Sequence, residues 1–373
     1  MKKKSIIPLL AVTLSAALLS GCSMDVLGAS GTRPEGPAQA LVESSSASQT
    51  VPRNAVHAEG LVVTNSGAEI ALTALAHRVE NDTAPKVYYL SDISSEAMMK
   101  AYAALDWTPT GNVAVKLSTG EPPASNYLDP NLIKELVQSV NGTIVECNTA
   151  YGGSRSGTAM HRQVAEDHGF TAIADVDILD ADGSMTIPVT GGTRLTENFV
   201  GSHFANYDSY LVLSHFKGHS MAGFGGAIKN ISIGLGSWEG KSWIHTAGSS
   251  KRSPWGGNQD RFLESMGDAG KAVSDYLGNG ERIVYISVMN RLSVDCDCNG
   301  NPAEPDMHDI GILASTDPVA LDQACIDLVY AQKDGEAASL VARIESRNGL
   351  YTLKNAAAIG LGSREYQLVD LDD

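Results

Sequence analysis

Short apolar runs alternate with amphipathic segments along the chain from Lys86 onward, and this alternation predicts strands and helices in turn. Strands are expected at residues 87–90, 112–117, 143–147, 209–213, 282–288 and 310–314. Helices are expected at residues 94–105, 130–140, 157–168, 263–277 and 317–331, with a further helix ending near residue 233. Because this order is typical of βαβ units, we expect an α/β fold of the doubly wound type. Its sheet should be mainly parallel, with helices on both faces.

Residues 1–21 have the pattern of a bacterial secretory signal. Three lysines at positions 2–4 precede an apolar stretch at 6–19, which is too short to span a membrane comfortably. The stretch ends in Leu-Ser-Gly-Cys, which resembles the lipobox, a motif whose cysteine carries lipid. We therefore expect Cys22 to anchor the processed protein at the bacterial cell membrane or cell surface, on the extracytoplasmic side. An ordinary signal with a chance cysteine is the alternative.

The segment that follows has the composition of a tether. Residues 22–59 are rich in Ser, Ala, Gly, Thr and Pro and show neither helical nor strand periodicity. The α/β domain is expected over residues 60–373, with a short strand and helix at its edge between residues 61 and 79.

Composition and charge narrow the choice of partners. The 373 residues include 43 acidic and 27 basic side chains, which gives a formal net charge of −16. A broad positive surface for a phosphate backbone is therefore not expected, and we predict no nucleic-acid partner. A local basic pocket for a small anion remains compatible with this balance.

Histidines and a lysine follow the strand expected at 209–213. His215 and His219 are four residues apart, so they share a face in either a strand or a helix, and Lys217 joins them if the segment is extended. Such a face could bind a metal together with an anion, or an anionic substrate alone. The alternative is a polar loop whose histidines satisfy backbone groups. His203 and His245 are weaker candidates for further ligands.

A glycine-rich stretch, expected to be a flexible loop, leads from these histidines into the next helix. Exposed amides at a helix N-terminus bind anions, and Lys229 lies one turn inside this helix. The stretch is neither a phosphate-binding loop, since Phe224 stands where lysine is required, nor a dinucleotide fingerprint, since Ile228 replaces the third glycine. We expect Lys217 and Lys229 to be catalytic. The residues expected to bind the anion in this stretch are Gly223, Gly225, Gly226 and Asn230.

Two cysteines follow the strand expected at 282–288. In an extended Asp-Cys-Asp-Cys loop, Cys296 and Cys298 point to one side, as a metal pair would, and the aspartates point to the other. A disulfide across one residue would be strained and a poor structural staple. Five cysteines are also too few for a disulfide scaffold. Metal or redox use, an exposed or disulfide-bonded pair, and chance all remain open. Cys325 is expected in the core.

These segments are expected to meet at one edge of the sheet. Ligands of open α/β sheets lie beyond the carboxyl ends of the strands, where Lys116 and Arg155 are also expected and could bind an anion. The sequence therefore predicts one cleft that holds the histidines and the lysines, with the two cysteines close by. Zinc or another transition metal would suit such mixed nitrogen and sulfur ligands.

Several strings resemble the domain of unknown function 362 family. They are NTAYGGSRSGT at 148–158, SHFKGHSMAGFGGAIKN at 214–230, GKSWIH at 240–245, DCDC at 295–298 and DIGILASTDPVALDQACIDL at 309–328. Many members of that family carry a ferredoxin-like insertion, which implies an iron–sulfur role for them. This chain has no C-x-x-C-x-x-C run, and export as an unfolded chain would not carry an assembled cluster. We therefore expect no iron–sulfur cluster here.

Together these features favour an exported, lipid-anchored, metal-dependent or redox enzyme that acts on a small anionic substrate. The alternative is a non-catalytic surface protein that binds a small anionic ligand or a metal. A structural protein is disfavoured, because loop architecture alone does not call for two histidines, two cysteines and two lysines.

Overall fold

The computed structural model describes residues 60–333 and 335–372. The expected signal, Cys22 and the tether at 22–59 lie outside these residues, so their assignments stay predictions. Within the described ranges no helix has both the length and the apolar character needed to cross a membrane.

Strands and helices alternate along the described chain. The strands are β1 Leu61–Val63, β2 Glu69–Ala71, β3 Lys86–Leu90, β4 Val113–Lys116, β5 Thr143–Glu146, β6 Val176–Ile178, β7 Ser184–Pro188, β8 Glu197–Gly201, β9 Ser209–His215, β10 Lys217–His219, β11 Gly223–Gly225, β12 Ile283–Met289, β13 Gly311–Ser315 and β14 Gln367–Asp370. The helices are α1 Ser95–Ala104, α2 Pro130–Ser139, α3 Thr158–Asp167, α4 Ala227–Ser232, α5 Trp238–His245, α6 Gln259–Tyr276, α7 Pro318–Tyr330, α8 Ala338–Ser346 and α9 Leu350–Ala358.

Eight strands form the central sheet, in the order β14-β3-β13-β12-β9-β4-β5-β6. Every neighbouring pair is parallel except the two pairs that β13 makes, with β3 and with β12. The carboxyl ends of β4, β5, β9 and β12 therefore lie at one edge. The expected α/β class with a mainly parallel sheet is confirmed.

Helices cover both faces of this sheet, and alternate residues of one strand serve the two cores. On β12, Tyr285 packs in the core that contains Leu321 of α7. The next residue, Ile286, packs in the other core with Met98 of α1 and Ile133 of α2. This alternation explains why β12 is apolar throughout, since a strand buried on both faces has no polar side.

Local capping fixes several helix starts where the sequence predicts them. The Asp129 carboxylate accepts a hydrogen bond from the amide of Asn131, and Pro130 is the first residue of α2. Asp317 likewise accepts from the amides of Val319 and Ala320 at the start of α7.

The glycine-rich stretch differs from its expected form. In place of a flexible loop, β10 and β11 form a buried antiparallel hairpin in which Lys217 pairs with Gly225 and His219 with Gly223. A Cβ at Gly218 would lie 2.3 Å from the carbonyl oxygen of Val294, so only glycine fits there. The hairpin β7–β8 and the helices α5, α8 and α9 are further elements that the apolar pattern did not reveal.

Candidate functional site

A cavity of about 490 Å³ opens at the carboxyl edge of the sheet, beyond β4, β5, β9 and β12. With the exception of Gly223, every residue expected to bind an anion or a metal or to act in catalysis contributes to its wall. These residues are Lys116, Arg155, His215, Lys217, His219, Gly225, Gly226, Lys229, Asn230, Cys296 and Cys298. The structure thus brings together side chains that are up to 182 residues apart in the sequence, from Lys116 to Cys298.

Asp297 holds two of these side chains in place. Its Oδ1 lies 2.8 Å from Nδ1 of His215, and its Oδ2 lies 2.7 Å from Nζ of Lys217. The other ring nitrogen of His215 lies 2.7 Å from the carbonyl oxygen of Asn290. Both nitrogens of His215 therefore face oxygen acceptors and direct no lone pair at a metal, which corrects its expected role as a ligand. Although burial alone would raise it, Lys217 and His215 hold the pKa of Asp297 far below its usual range.

His219, Cys296 and Cys298 form a group that could hold a metal ion. Their ligand atoms all lie within 4.8 Å of one another, and Nε2 of His219 lies 3.9 Å from Sγ of Cys298. In this structure Cys296 and Cys298 form a disulfide, which was one of the alternatives open for this pair. The amide of Asn299 donates to the carbonyl of Cys296, and this turn brings Asp297 to the cavity, opposite to its expected orientation.

The protonation of His219 follows from its backbone contacts. Its Nδ1 accepts hydrogen bonds from the amides of Met221 and Ala222, at 3.1 and 2.9 Å. Burial and the nearby Lys229 lower the pKa of His219 well below its usual value, so the ring is neutral and its proton is on Nε2. With an N–H toward Cys298 and no free thiolate, the group in this state does not fit a metal.

Lys229 carries the positive charge that is least compensated. Among the described residues no hydrogen-bond acceptor lies within reach of its Nζ, although the side chain lines the cavity. Burial and the neighbouring Lys217 lower the pKa of Lys229 to about 7. Lys116 differs, because its Nζ donates to Oδ1 of Asn230 at 3.0 Å, and burial lowers its pKa to about 8.

Arg155 is already engaged by carboxylates of the protein. Its Nε lies 3.1 Å from Oε2 of Glu121, and its Nη1 lies 3.5 Å from Oε1 of Glu146. Its expected use as a clamp for a ligand therefore has to compete with two buried partners. Asn230 is also engaged, since its Nδ2 donates to the carbonyl of Leu213 at 3.0 Å.

The amides at the start of α4 are not available to an anion. Those of Ala227 and Ile228 donate to the buried carboxylate of Asp322, at 2.7 and 3.0 Å. A Cβ at Gly226 would lie 2.2 Å from Oδ1 of Asp322, so this glycine serves the close approach of α4 and α7. Gly223 adopts a left-handed φ of +84° and packs on Gly349. The expected anion-binding role of this loop is therefore wrong for the α4 amides.

Several charged residues of the cavity wall were not among the expected site residues, and three of them contact other wall groups. Asp297 stands between the two cysteines, and Glu146 ends β5, so both had a positional signal. Lys241 lies in the GKSWIH string, and its Nζ reaches the carbonyl of Gly236 at 2.6 Å. Of the weaker candidates, His245 lines the cavity, whereas His203 lies between Asp177 and Asp182 elsewhere.

The fold and this cavity define an α/β protein with a cationic pocket and a cysteine pair at the carboxyl edge of its sheet. The chain belongs to the family described as Domain of unknown function (DUF362), whose sequence profile matches residues 113–327. No curated protein matches the chain.

Solved structures are similar to the chain at low identity. The lactate racemase apoprotein from Thermoanaerobacterium thermosaccharolyticum is 12% identical, with a TM-score of 0.38, over 71% of this chain and 61% of its own. A protein from Thermotoga maritima is 12% identical, with a TM-score of 0.35, over 62% of this chain and 57% of its own. The chain thus spans about three fifths of each of these proteins.

Proposed function

We propose that the protein is a redox enzyme that acts on a small anionic substrate while anchored by lipid to the extracytoplasmic side of a bacterial membrane. One observation carries the proposal: the Cys296–Cys298 disulfide and the unpaired amine of Lys229 face the same cavity. A redox group and a binding charge for an anion are thereby within one small volume.

The surroundings of the cysteine pair suit reversible reduction. Exchange with a dithiol breaks the S–S bond and leaves two thiols on the protein, while the dithiol is itself oxidised to a disulfide; the reverse exchange restores the protein disulfide. The N–H at Nε2 of His219 points toward Cys298 and can donate to a thiolate there. Lys229, which has no carboxylate partner among the described residues, adds positive charge to the cavity, and this favours a thiolate.

Lys229 is also suited to proton transfer. A pKa of about 7 lets its amine give or take a proton near neutral pH. Lys217 has a different part, since its ion pair with Asp297 fixes its position beside the disulfide. The expected catalytic role of both lysines stays a prediction, with Lys229 as the proton carrier.

A metal-dependent enzyme is the second candidate function. The redox state of Cys296 and Cys298 distinguishes it from the first. Only the reduced pair would supply thiolates, and His219 could join them around zinc or another transition metal only once its proton has left Nε2. The disulfide observed here favours the redox enzyme.

The proposed function predicts that a bound anion changes how readily the Cys296–Cys298 disulfide is reduced. The full-length protein in detergent is equilibrated in dithiothreitol buffers of graded ratio, with and without saturating sulfate, and the free thiols are counted by alkylation and mass spectrometry. We expect sulfate to make the pair harder to reduce, because its charge repels the developing thiolates. The buried free thiols Cys147 and Cys325 are internal controls, since they do not change state.

The variant Lys229→Met should lose this sulfate effect and keep the reducible pair. The proposal of a redox enzyme would be wrong if sulfate binds but the midpoint of disulfide reduction is the same with and without it. The alternative, a surface protein that binds anions without transforming them, would then remain.

A further inference from the structure

The wall of the cavity has more cationic than anionic side chains. Six cations lie in it or are bonded to it, and four carboxylates face them. The cations are Lys116, Arg155, Lys217, Lys229, Lys241 and Arg343, and the carboxylates are Glu121, Glu146, Asp295 and Asp297. Two positive charges therefore have no counter-ion among the described side chains of the wall.

The pairing of these groups shows where the excess lies. Lys217 is bonded to Asp297 at 2.7 Å, and Arg343 to Asp295 at 3.3 Å. Arg155 lies between Glu121 and Glu146, and Glu146 is also the carboxylate that acts on Lys116. These contacts use all four carboxylates.

Lys229 and Lys241 are left without a carboxylate. In the described chain, Nζ of Lys241 is bonded only to the carbonyl oxygens of Gly236 and Cys147, at 2.6 and 3.5 Å. Nζ of Lys229 has no acceptor at all within that part of the protein. The two amines belong to the successive helices α4 and α5, and both line the cavity.

We infer that the cavity binds one small dianion, whose two charges are shared by Lys229 and Lys241. The inference deepens the proposed function, on which it rests, by naming the charge class of the substrate. A dicarboxylate and a tetrahedral oxyanion such as sulfate or a phosphate group share this chemistry. A cavity of about 490 Å³ has room for either.

The titration of the surrounding groups supports the inference. Burial, Lys217, Lys116 and Arg155 act together to lower the pKa of Lys229, while Asp297 opposes them. Burial lowers the pKa of His245 to about 4, and Lys229 adds to this. Positive charge in the cavity wall thus disfavours the protonated form of Lys229, and a bound anion would favour it.

Calorimetric titration tests the inference on the full-length oxidised protein in detergent. The probes are sulfate and succinate as dianions, and acetate and formate as monoanions. We expect one dianion per protein, bound at least about tenfold more tightly than either monoanion, which corresponds to about 1.4 kcal/mol. The affinity for sulfate compared with that for succinate then distinguishes an oxyanion site from a dicarboxylate site.

Variants locate the charges. Lys229→Met and Lys241→Met should each reduce dianion affinity to the level of acetate, whereas Lys354→Met, on the exposed side of α9, should bind as the unaltered protein does. The inference of a dianion site would be wrong if monoanions and dianions bind with equal affinity, or if two acetates bind as tightly as one sulfate. Either result would still show that the cavity binds anions. No binding of any probe would overturn the proposed function itself.

Discussion

At the scale of single residues, the cavity changes what its side chains can do. His219 is neutral because it is buried beside cations and because two amides occupy its Nδ1. Lys229 holds its proton weakly for the same electrostatic reason. The sequence predicts these residue types and their common edge, since strand ends and spacing are local signals. It does not predict that Asp297 engages His215, because that bond joins residues 82 positions apart.

The pH dependence of anion binding follows from Lys229. An anion binds its ammonium form, so affinity for sulfate should be greatest below about pH 7 and should fall as pH rises through that value. One linked proton gives a fall of up to about tenfold per pH unit. Calorimetry between about pH 6 and pH 9 measures it, because sulfate stays a dianion throughout that range.

The matched variant for this test is Lys229→Arg, whose guanidinium stays charged over the whole range. It should keep most of its sulfate affinity near pH 9, where the unaltered protein has lost it. Sulfate binding that does not change with pH in the unaltered protein would contradict the assignment of the charge to Lys229.

At the scale of elements, long-range contacts place the helices that carry the lysines. The capped starts of α2 and α7 could be predicted because each cap and its proline are neighbours in sequence. The start of α4 after the glycines was also predicted, but its cap was not, because Asp322 is 95 residues away from Ala227. The β10–β11 hairpin was likewise hidden, because three-residue strands rich in glycine carry no periodic pattern.

Removal of the α4 cap should cost stability. Asp322→Ala leaves the buried amides of Ala227 and Ile228 without an acceptor, and we expect it to lower the free energy of unfolding by about 2–4 kcal/mol. Asp322→Asn keeps one carbonyl acceptor, so its free energy of unfolding should fall less than that of Asp322→Ala. Urea unfolding followed by circular dichroism gives both values. An Ala variant as stable as the unaltered protein would show that the cap contributes nothing.

At the scale of the whole molecule, the net charge of the chain and the charge of the cavity wall have opposite signs. The chain carries a formal net charge of −16, yet the cavity concentrates lysines at the end of a few parallel strands. The acidic balance accordingly argues against a nucleic-acid partner without arguing against a small anion. Export, proposed from residues 1–22, is consistent with the disulfide, since such bonds persist in oxidising compartments.

The membrane anchor is tested by Cys22→Ala in the full-length protein. Without the thiol no lipid is attached, so the variant should be released from the membrane or should accumulate as an unprocessed precursor. Ser23→Ala is the matched control and should stay in the membrane fraction with a lipid-modified mass. Fractionation followed by intact-mass measurement decides between these outcomes. A Cys22→Ala protein that is processed normally and remains on the membrane would show that another segment holds it there. The proposals for the cavity would then still stand, because they rest on residues from Lys116 onward.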